Sequence, residues 1–278
     1  MASVGDSAVW REQPVQVRRP AVRPSQTLLK FGRSVAAIAA LLAVWELAPR
    51  IGAVDSTFLP PFSEVLQAWW QLALSGELVS HFGSSIARSL TGFLLANAIF
   101  IPLGLLVGWY KPLASLLNPL LELFRNTAAL ALLPVFILIL GIGETSKIAI
   151  VMYASSWPIL LNTISGVRNV DPLLIKSARS MGLTPRKLFQ KVILPASLPT
   201  VFTGVRLAGA SSILVLVAAE MVGAKAGLGY LINYAQFNFQ IPNMYAGIVT
   251  ISGLGLLFNG ALVALEKTFT AWKHTQAD

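Results

Sequence analysis

Long apolar segments alternate with short polar ones along most of this 278-residue chain. A membrane-crossing helix needs about 20 predominantly apolar residues, and the segments approach or reach that length. The pattern predicts an all-α, polytopic membrane protein, a helix bundle with six transmembrane helices. The predicted spans are residues 34–48, 89–110, 126–140, 148–167, 201–223 and 245–265.

The flanking segments complete the predicted organisation. Residues 1–33 are predicted to form a mobile basic cytoplasmic tail, residues 34–266 a transmembrane domain, and residues 267–278 a second cytoplasmic tail. Apolar residues recur at helical spacing over residues 62–73, which include two adjacent tryptophans. Indoles prefer the membrane interface, so this segment predicts a helix lying at the outer surface. A substrate contact by the tryptophans is the alternative.

Composition and charge support a membrane class. The chain is 55% hydrophobic and 12% charged, with a mean hydropathy of +0.69, whereas a soluble domain is roughly a quarter charged. A net charge of +9 would indicate nucleic acid in a soluble protein. With both termini in the cytoplasm, however, 17 of the 21 lysines and arginines lie on the inner side, as the positive-inside rule requires. The predicted partner of this basic chain is therefore membrane lipid and not nucleic acid.

The sequence lacks the motifs of common catalytic and metal sites. It has no cysteine, and its two histidines, His81 and His274, are too far apart for a ligand pair. The dipeptide Gly-Lys is absent, so there is no Walker A phosphate loop. We therefore expect no metal, no cofactor and no enzymatic activity on this chain.

A basic segment between the fourth and fifth spans, residues 170–199, predicts two short helices that we call the elbow. Asp171 and Thr184, each followed by proline, are N-cap signals because a cap oxygen accepts a free N–H and proline loses nothing at the first helical position. Gly182 suits a left-handed turn between the helices. Pro195 is expected to end the second helix.

The elbow has two interpretations. Seven basic residues and one acid lie between Arg168 and Arg206, which is typical of a helix adsorbed on anionic lipid. Adsorption alone does not require two capped helices joined by a glycine. The pattern therefore favours a folded shape presented to a protein.

Candidate residues for a translocation pathway lie within the spans. Glu220, near the outer end of the fifth span, could line a pathway or fix a gate, because intramembrane carboxylates are commonly functional. The equal alternative is an interfacial carboxylate, hydrated or paired with Lys225. Asn162 and Ser212 are further pathway candidates.

The elbow also carries a motif. Residues 176–182, Lys-Ser-Ala-Arg-Ser-Met-Gly, are followed after nine residues by Val-Ile-Leu-Pro at residues 192–195. This resembles the "EAA" loop of the permease subunits of binding-protein-dependent ABC importers: Glu-Ala-Ala, three residues, Gly, nine residues, Ile, one residue, Leu-Pro. The glycine and Leu-Pro match in register. Lys176 replaces the glutamate, Ser177 the first alanine and Val192 the isoleucine.

The likeness extends from about residue 41 to residue 272. Five further segments resemble the branch that imports nitrate, alkanesulfonates, taurine or bicarbonate: residues 58–61, 133–136, 140–144, 219–221 and 226–229. That branch often has an Arg-x-x-Pro stretch before the third span. Residues 125–129 read Arg-Asn-Thr-Ala-Ala instead, so a less kinked helix is expected here.

The resemblance implies a type I importer-like homodimeric pore in a bacterial inner membrane. It also implies two cytosolic ATPase subunits, which bind the ATP, and an external solute-binding protein. The elbow would be the coupling helix, and the solute a small anion, although no anion site is evident in the spans. The residues expected to contact the ATPase are Ser177, Ala178, Arg179, Gly182, Leu183, Leu188 and Phe189.

Two other functions remain open from the residues alone. An ion-coupled secondary carrier using Glu220 would transport without ATP and fail when this carboxylate is neutralised. A membrane scaffold that binds partners through the elbow would move no solute.

Overall fold

The computed structural model describes residues 24–274, and within them the chain is helical, with no strand. This confirms the all-α prediction. The elements are α1 Pro24–Arg50, α2 Phe62–Leu74, α3 Glu77–Trp109, α4 Lys111–Arg125, a 3₁₀ turn Ala129–Leu132, α5 Leu133–Leu140, α6 Glu144–Arg168, α7 Pro172–Ser180, α8 Pro185–Leu188, a π turn Phe189–Ile193, α9 Leu194–Met221, α10 Leu228–Phe237 and α11 Ile241–His274.

The number of spans differs from the prediction. Within the described residues, four helices are long and apolar enough to cross a membrane: α3, α6, the unbroken run from α8 through α9, and α11. The bent pair α4 and α5 raises the number to five if it is one span. Helix α1, which covers the predicted first span, falls outside this set, so six spans are not established.

The predicted tails overlap helices. Helix α1 begins at Pro24, inside the predicted N-terminal tail, and α11 continues to His274, past the start of the predicted C-terminal tail. The rest of the two tails, residues 1–23 and 275–278, lies outside the described residues.

Three long helices, α3, α6 and α9, form the centre of the bundle, and small residues let them approach closely. A Cβ built on Gly104 of α3 would lie 2.7 Å from the Cβ of Thr163 in α6. One built on Gly204 of α9 would lie 2.6 Å from the Cβ of Asn162 and 2.7 Å from the carbonyl oxygen of Pro158. Since lipid tails give no hydrophobic drive for association, such backbone proximity is what holds membrane helices together. The glycines of α3 and α9 therefore allow these helices to pack closely against α6.

Helices α4 and α5 are separated by a sharp break. The two axes meet at 86°, so the expectation of a less kinked helix is wrong. The break needs no proline because side chains replace the lost helical bonds. Asn126 Nδ2 donates to the Glu122 carbonyl at 2.8 Å, and Thr127 Oγ1 donates to the Leu123 carbonyl at 3.2 Å.

Peripheral helices pack on this centre through aromatic side chains. Trp45 of α1 donates its indole N–H to the Pro60 carbonyl at 3.1 Å, which anchors α1 to the start of α2. Trp69 of α2 donates to Thr250 Oγ1 of α11 at 3.0 Å. The predicted amphipathic helix α2 is therefore present, and Trp69 packs in the bundle rather than on open surface.

Candidate functional site

The first candidate site is the elbow. Its first helix, α7, is capped as predicted: Asp171 Oδ1 accepts a hydrogen bond from the Leu173 N–H at 2.8 Å. Gly182 has φ +75°, and its N–H donates to the Arg179 carbonyl at 2.9 Å. The Leu183 N–H closes the turn on the Ala178 carbonyl at 3.2 Å. This left-handed cap confirms the conformational prediction for the glycine.

The second arm of the elbow differs from the prediction in two ways. Thr184 precedes α8 but makes no side-chain cap bond. Pro195 does not end the helix, because α8 continues through the π turn into α9 without interruption to Met221. The Leu194 N–H bonds to the Phe189 carbonyl five residues back. This wider turn accommodates a proline, which has no N–H to give to the regular ladder.

The interior of the elbow is a small apolar core. Ala178 and Leu188 are each 2% exposed and pack with Val167, Val170 and Ile193. Half-buried Leu183 and Phe189 complete it, and the Phe189 ring lies 5.3 Å from the Trp109 ring at the end of α3. The two buried residues therefore fix the shape of the elbow and its seat on the bundle.

The outer surface of the elbow carries residues that sequence reasoning missed. Ser177 and Arg179 are exposed as an ATPase contact requires. Beside them Leu174 is 50% exposed and Met181 is 72% exposed. The spacing 174, 177, 181 places these three on one stripe of a helix. The helical spacing did not indicate this exposure, because Leu174 and Met181 are four residues before and three residues after the buried Ala178, a spacing that normally places residues on the same face.

The second candidate site surrounds Glu220, at the end of α9 far from the elbow. Glu220 is 1% exposed. Both carboxylate oxygens accept from the Ser85 hydroxyl, at 2.9 and 2.8 Å, and one also accepts from the Gly229 N–H at 3.0 Å. The hydrated or Lys225-paired alternative is therefore wrong. The carboxylate is enclosed by α3 and by the segment after α9.

The charge partner of Glu220 is Arg88 of α3. One guanidinium nitrogen lies 2.7 Å from Glu220 and 2.6 Å from the Ala226 carbonyl. The other side of the fork pairs with Glu144 at the start of α6. Arg88, itself 5% exposed, thus ties α3 to the start of α6 and the end of α9. Nothing in the local sequence pointed to this pair, since 132 residues separate its members.

Glycines make room for this cluster. A Cβ on Gly227 would lie 2.3 Å from Glu220 Oε1, and one on Gly229 would lie 2.3 Å from the Val217 carbonyl. Gly227 also has φ +120°, and its N–H donates to His81 Nδ1 at 3.2 Å. The loop can approach the buried carboxylate only because these positions carry no side chain.

The other two pathway candidates lie apart from Glu220. Ser212 is fully buried, with its hydroxyl 2.7 Å from the Gly209 carbonyl and 3.2 Å from the Ser89 hydroxyl. Asn162 bonds to the Pro158 carbonyl at 2.8 Å, between α6 and α9. Each of the three side chains has its own hydrogen-bond partners, and none is shared. The structure therefore does not bring them together in one site.

The side chains that the structure describes, those of residue 33 and residues 35–268, include no group of three or more histidine, cysteine, aspartate or glutamate residues that could hold a metal ion. What this part of the chain offers is a partly apolar basic surface on the elbow, joined by one continuous helix to a buried ionic cluster.

The sequence between residues 100 and 270 matches the family model described as the inner membrane component of binding-protein-dependent transport systems. The chain belongs to this family. The resemblance that the elbow motif carries is thereby confirmed.

Several relatives resemble this permease over most of its length. It is 37% identical to an ABC transporter permease protein of Brucella abortus strain 2308, over 89% of this chain and 98% of that protein. It is 35% identical to an aliphatic sulfonates transport permease protein of Bacillus subtilis strain 168, over 85% and 86%. It is 32% identical to the taurine transport system permease protein of Escherichia coli K12, over 86% and 89%. These relatives agree with the branch named from the sequence.

A solved structure supports the fold. A chain of the inward-facing MetNI methionine ABC transporter superposes with a TM-score of 0.60 at 21% identity, over 67% of this chain and 93% of that chain. At this identity the likeness concerns the fold alone, which is that of a type I importer permease.

Family membership establishes the general function. The chain is a pore-forming permease subunit of an ABC importer, a multi-pass inner-membrane protein without enzymatic activity. The family implies an ATPase subunit and a substrate-binding protein as partners. The ion-coupled carrier and the non-transporting scaffold therefore do not describe it.

Proposed function

We propose that this permease imports a small sulfonate-class anion, as a homodimer with both termini in the cytoplasm. The relatives named for aliphatic sulfonates and taurine support the solute class. The basic elbow and the excess of lysine and arginine in the predicted inner segments support the orientation. No cofactor is required on this chain, because ATP belongs to the partner subunit.

The exposed stripe of the elbow is proposed to bind the ATPase. Leu174 and Met181 present apolar area outside the membrane-spanning helices, where an unpartnered apolar patch commonly marks a protein interface. Lys176, Arg179 and Arg186 of the elbow are also exposed, so the elbow combines apolar and charged surface, as protein-binding surfaces do. Ser177 and Gly182 contribute backbone and small side-chain contacts, while Ala178, Leu183, Leu188 and Phe189 support the shape from within.

Coupling is proposed to travel along one helix. The run from Pro185 to Met221 has 37 residues and is about 55 Å long at 1.5 Å per residue. Its first turn belongs to the elbow, and Glu220 stands at its last turn. A tilt imposed by closing ATPases at one end would therefore act on the Arg88–Glu220 cluster at the other end, a rigid-body transmission. In this proposal Glu220 latches the outer ends of the helices and does not touch the solute.

ATP-driven uptake into proteoliposomes tests the proposed solute class. The permease is reconstituted with its ATPase and binding protein and offered ethanesulfonate, taurine, nitrate, bicarbonate and methionine separately. We expect ATP-dependent uptake of ethanesulfonate or taurine and none of methionine. Uptake of methionine alone, or of no sulfonate, would contradict the solute class. Uptake without ATP would contradict the importer mechanism itself.

A further inference from the structure

The break between α4 and α5 lies deep in the bundle. The Tyr153 hydroxyl of α6 donates to the Phe124 carbonyl at 3.0 Å, and the Phe124 ring stacks on Trp157. Tyr153 is nine residues from one end of α6 and Arg168 is 15 residues further on, which corresponds to about 14 Å and about 22 Å. The hydrocarbon core is about 30 Å thick. With α6 spanning this core, the end of α4 lies inside it, whichever end of α6 faces the cytoplasm.

Arg125 is the last residue of α4, and its side chain is exposed on the single chain. Within residues 24–274, its guanidinium has no hydrogen-bond or ion-pair partner. Glu122, one turn earlier, is also exposed, and none of the ion pairs among the described residues joins it to Arg125. The carbonyls that normally attract a cation at a helix end are already taken by Asn126, Thr127 and Tyr153. A free cation is thus held at membrane depth beside a helix break that is stabilised by other residues.

A charged side chain at this depth does not face lipid, because burying an unpaired charge in hydrocarbon is strongly unfavourable. Irregular backbone at this depth is likewise tolerated only where it is enclosed by protein or lines a water-filled cavity. Both conditions place Arg125 on the water-filled side of the assembled permease. Discontinuous helices at mid-membrane are also where many transporters bind their solutes.

We propose that Arg125 is a solute-contact residue that binds the sulfonate group of the imported anion inside the membrane. This inference rests on the proposed function. A guanidinium offers a planar pair of N–H donors to two oxygens of an oxyanion, a geometry that lysine does not reproduce. In a homodimer, two copies of Arg125 would meet the solute from opposite sides. Glu122, about 4.5 Å along the helix, would repel the anion and limit how tightly it is held.

Cysteine labelling tests where position 125 faces. The chain contains no cysteine, so one introduced by Arg125→Cys is the only thiol in the permease. In the assembled importer we expect this thiol to react with sulfonatoethyl methanethiosulfonate, a charged reagent that does not enter lipid. The control is Leu256→Cys, at an exposed apolar position in α11, which should stay unlabelled. An Arg125→Cys thiol as inert as the control would overturn the proposal, whatever the solute is.

Uptake by neutral variants then tests solute contact. Ethanesulfonate uptake should fall about tenfold or more in Arg125→Gln, because charge-assisted bonds are lost, with partial recovery in Arg125→Lys. The amount of ATPase that copurifies should be unchanged. The comparison variant Glu122→Gln should raise uptake at low ethanesulfonate concentration, because it removes the carboxylate that repels the anion. Equal losses in Arg125→Gln and Glu122→Gln would show an ion pair between protomers instead, and normal uptake in Arg125→Gln would rule out solute contact. Absence of wild-type sulfonate uptake would contradict the solute class, while the labelling result would still decide where Arg125 faces.

Discussion

Arg88→Leu is expected to leave little stable permease, because it strands the Glu220 carboxylate without its charge partner. Glu220 is 1% exposed, so water cannot replace the lost guanidinium. Removing one member of a buried ion pair costs about 3–5 kcal/mol, a large fraction of the roughly 5–15 kcal/mol that stabilises a typical protein. The yield of monodisperse protein and its thermal unfolding in mild detergent measure this loss.

A double variant tests whether the unpaired charge of Glu220 causes the instability of Arg88→Leu. Neutralising the stranded carboxylate in Arg88→Leu/Glu220→Gln should recover much of the stability, because the unpaired charge is gone. Lys225→Leu, which removes a cation near the same loop in sequence, should have little effect. A double variant as unstable as Arg88→Leu would mean that the bonds from Arg88 to Glu144 and the Ala226 carbonyl matter more than the charge of Glu220.

Gly182→Val is expected to uncouple the elbow while the bundle still inserts and folds. Gly182 has φ +75°, and a Cβ there would meet no atom within 4 Å. Backbone strain is therefore the only penalty, and a β-branched residue disfavours this region strongly. A shift of 1–2 kcal/mol against the native turn lowers the equilibrium constant for that turn about five- to thirtyfold. We expect sulfonate uptake to fall by up to that factor.

The matched variant is Gly182→Asn, since asparagine tolerates left-handed backbone. It should retain most of the uptake. Normal coupled transport in Gly182→Val would mean that the turn is not required to keep its shape. Equal losses in both variants would indicate that the missing side chain, rather than the backbone, matters at this position.

Local features of the elbow could be predicted from the sequence because they depend on neighbouring residues. The Asp171 cap and the left-handed Gly182 each involve bonds within a few residues. The prediction that Pro195 ends the helix was wrong, because a proline normally ends a helix. Here the preceding π turn provides the space that the proline needs, and the local residue types do not indicate a π turn.

Long-range contacts could not be predicted. Arg88 and Glu220 meet only because α3 and α9 pack side by side, and a single sequence gives no measure of that pairing. The depth inferred for Arg125 could not be predicted either, because charge usually marks a membrane boundary. That inference needs the contact between Tyr153 and Phe124 across two helices.

A crosslink from position 181 tests most directly the claim that the elbow binds the ATPase. Met181 is 72% exposed, and Met181→Cys gives the permease its only thiol, to which a benzophenone maleimide can be attached. In membranes that contain the complete importer, illumination should join the permease to a protein that mass spectrometry identifies by its Walker A peptide. The same probe at Leu256→Cys should not. Crosslinks from position 181 to lipid alone, with the assembled importer still active, would contradict the account.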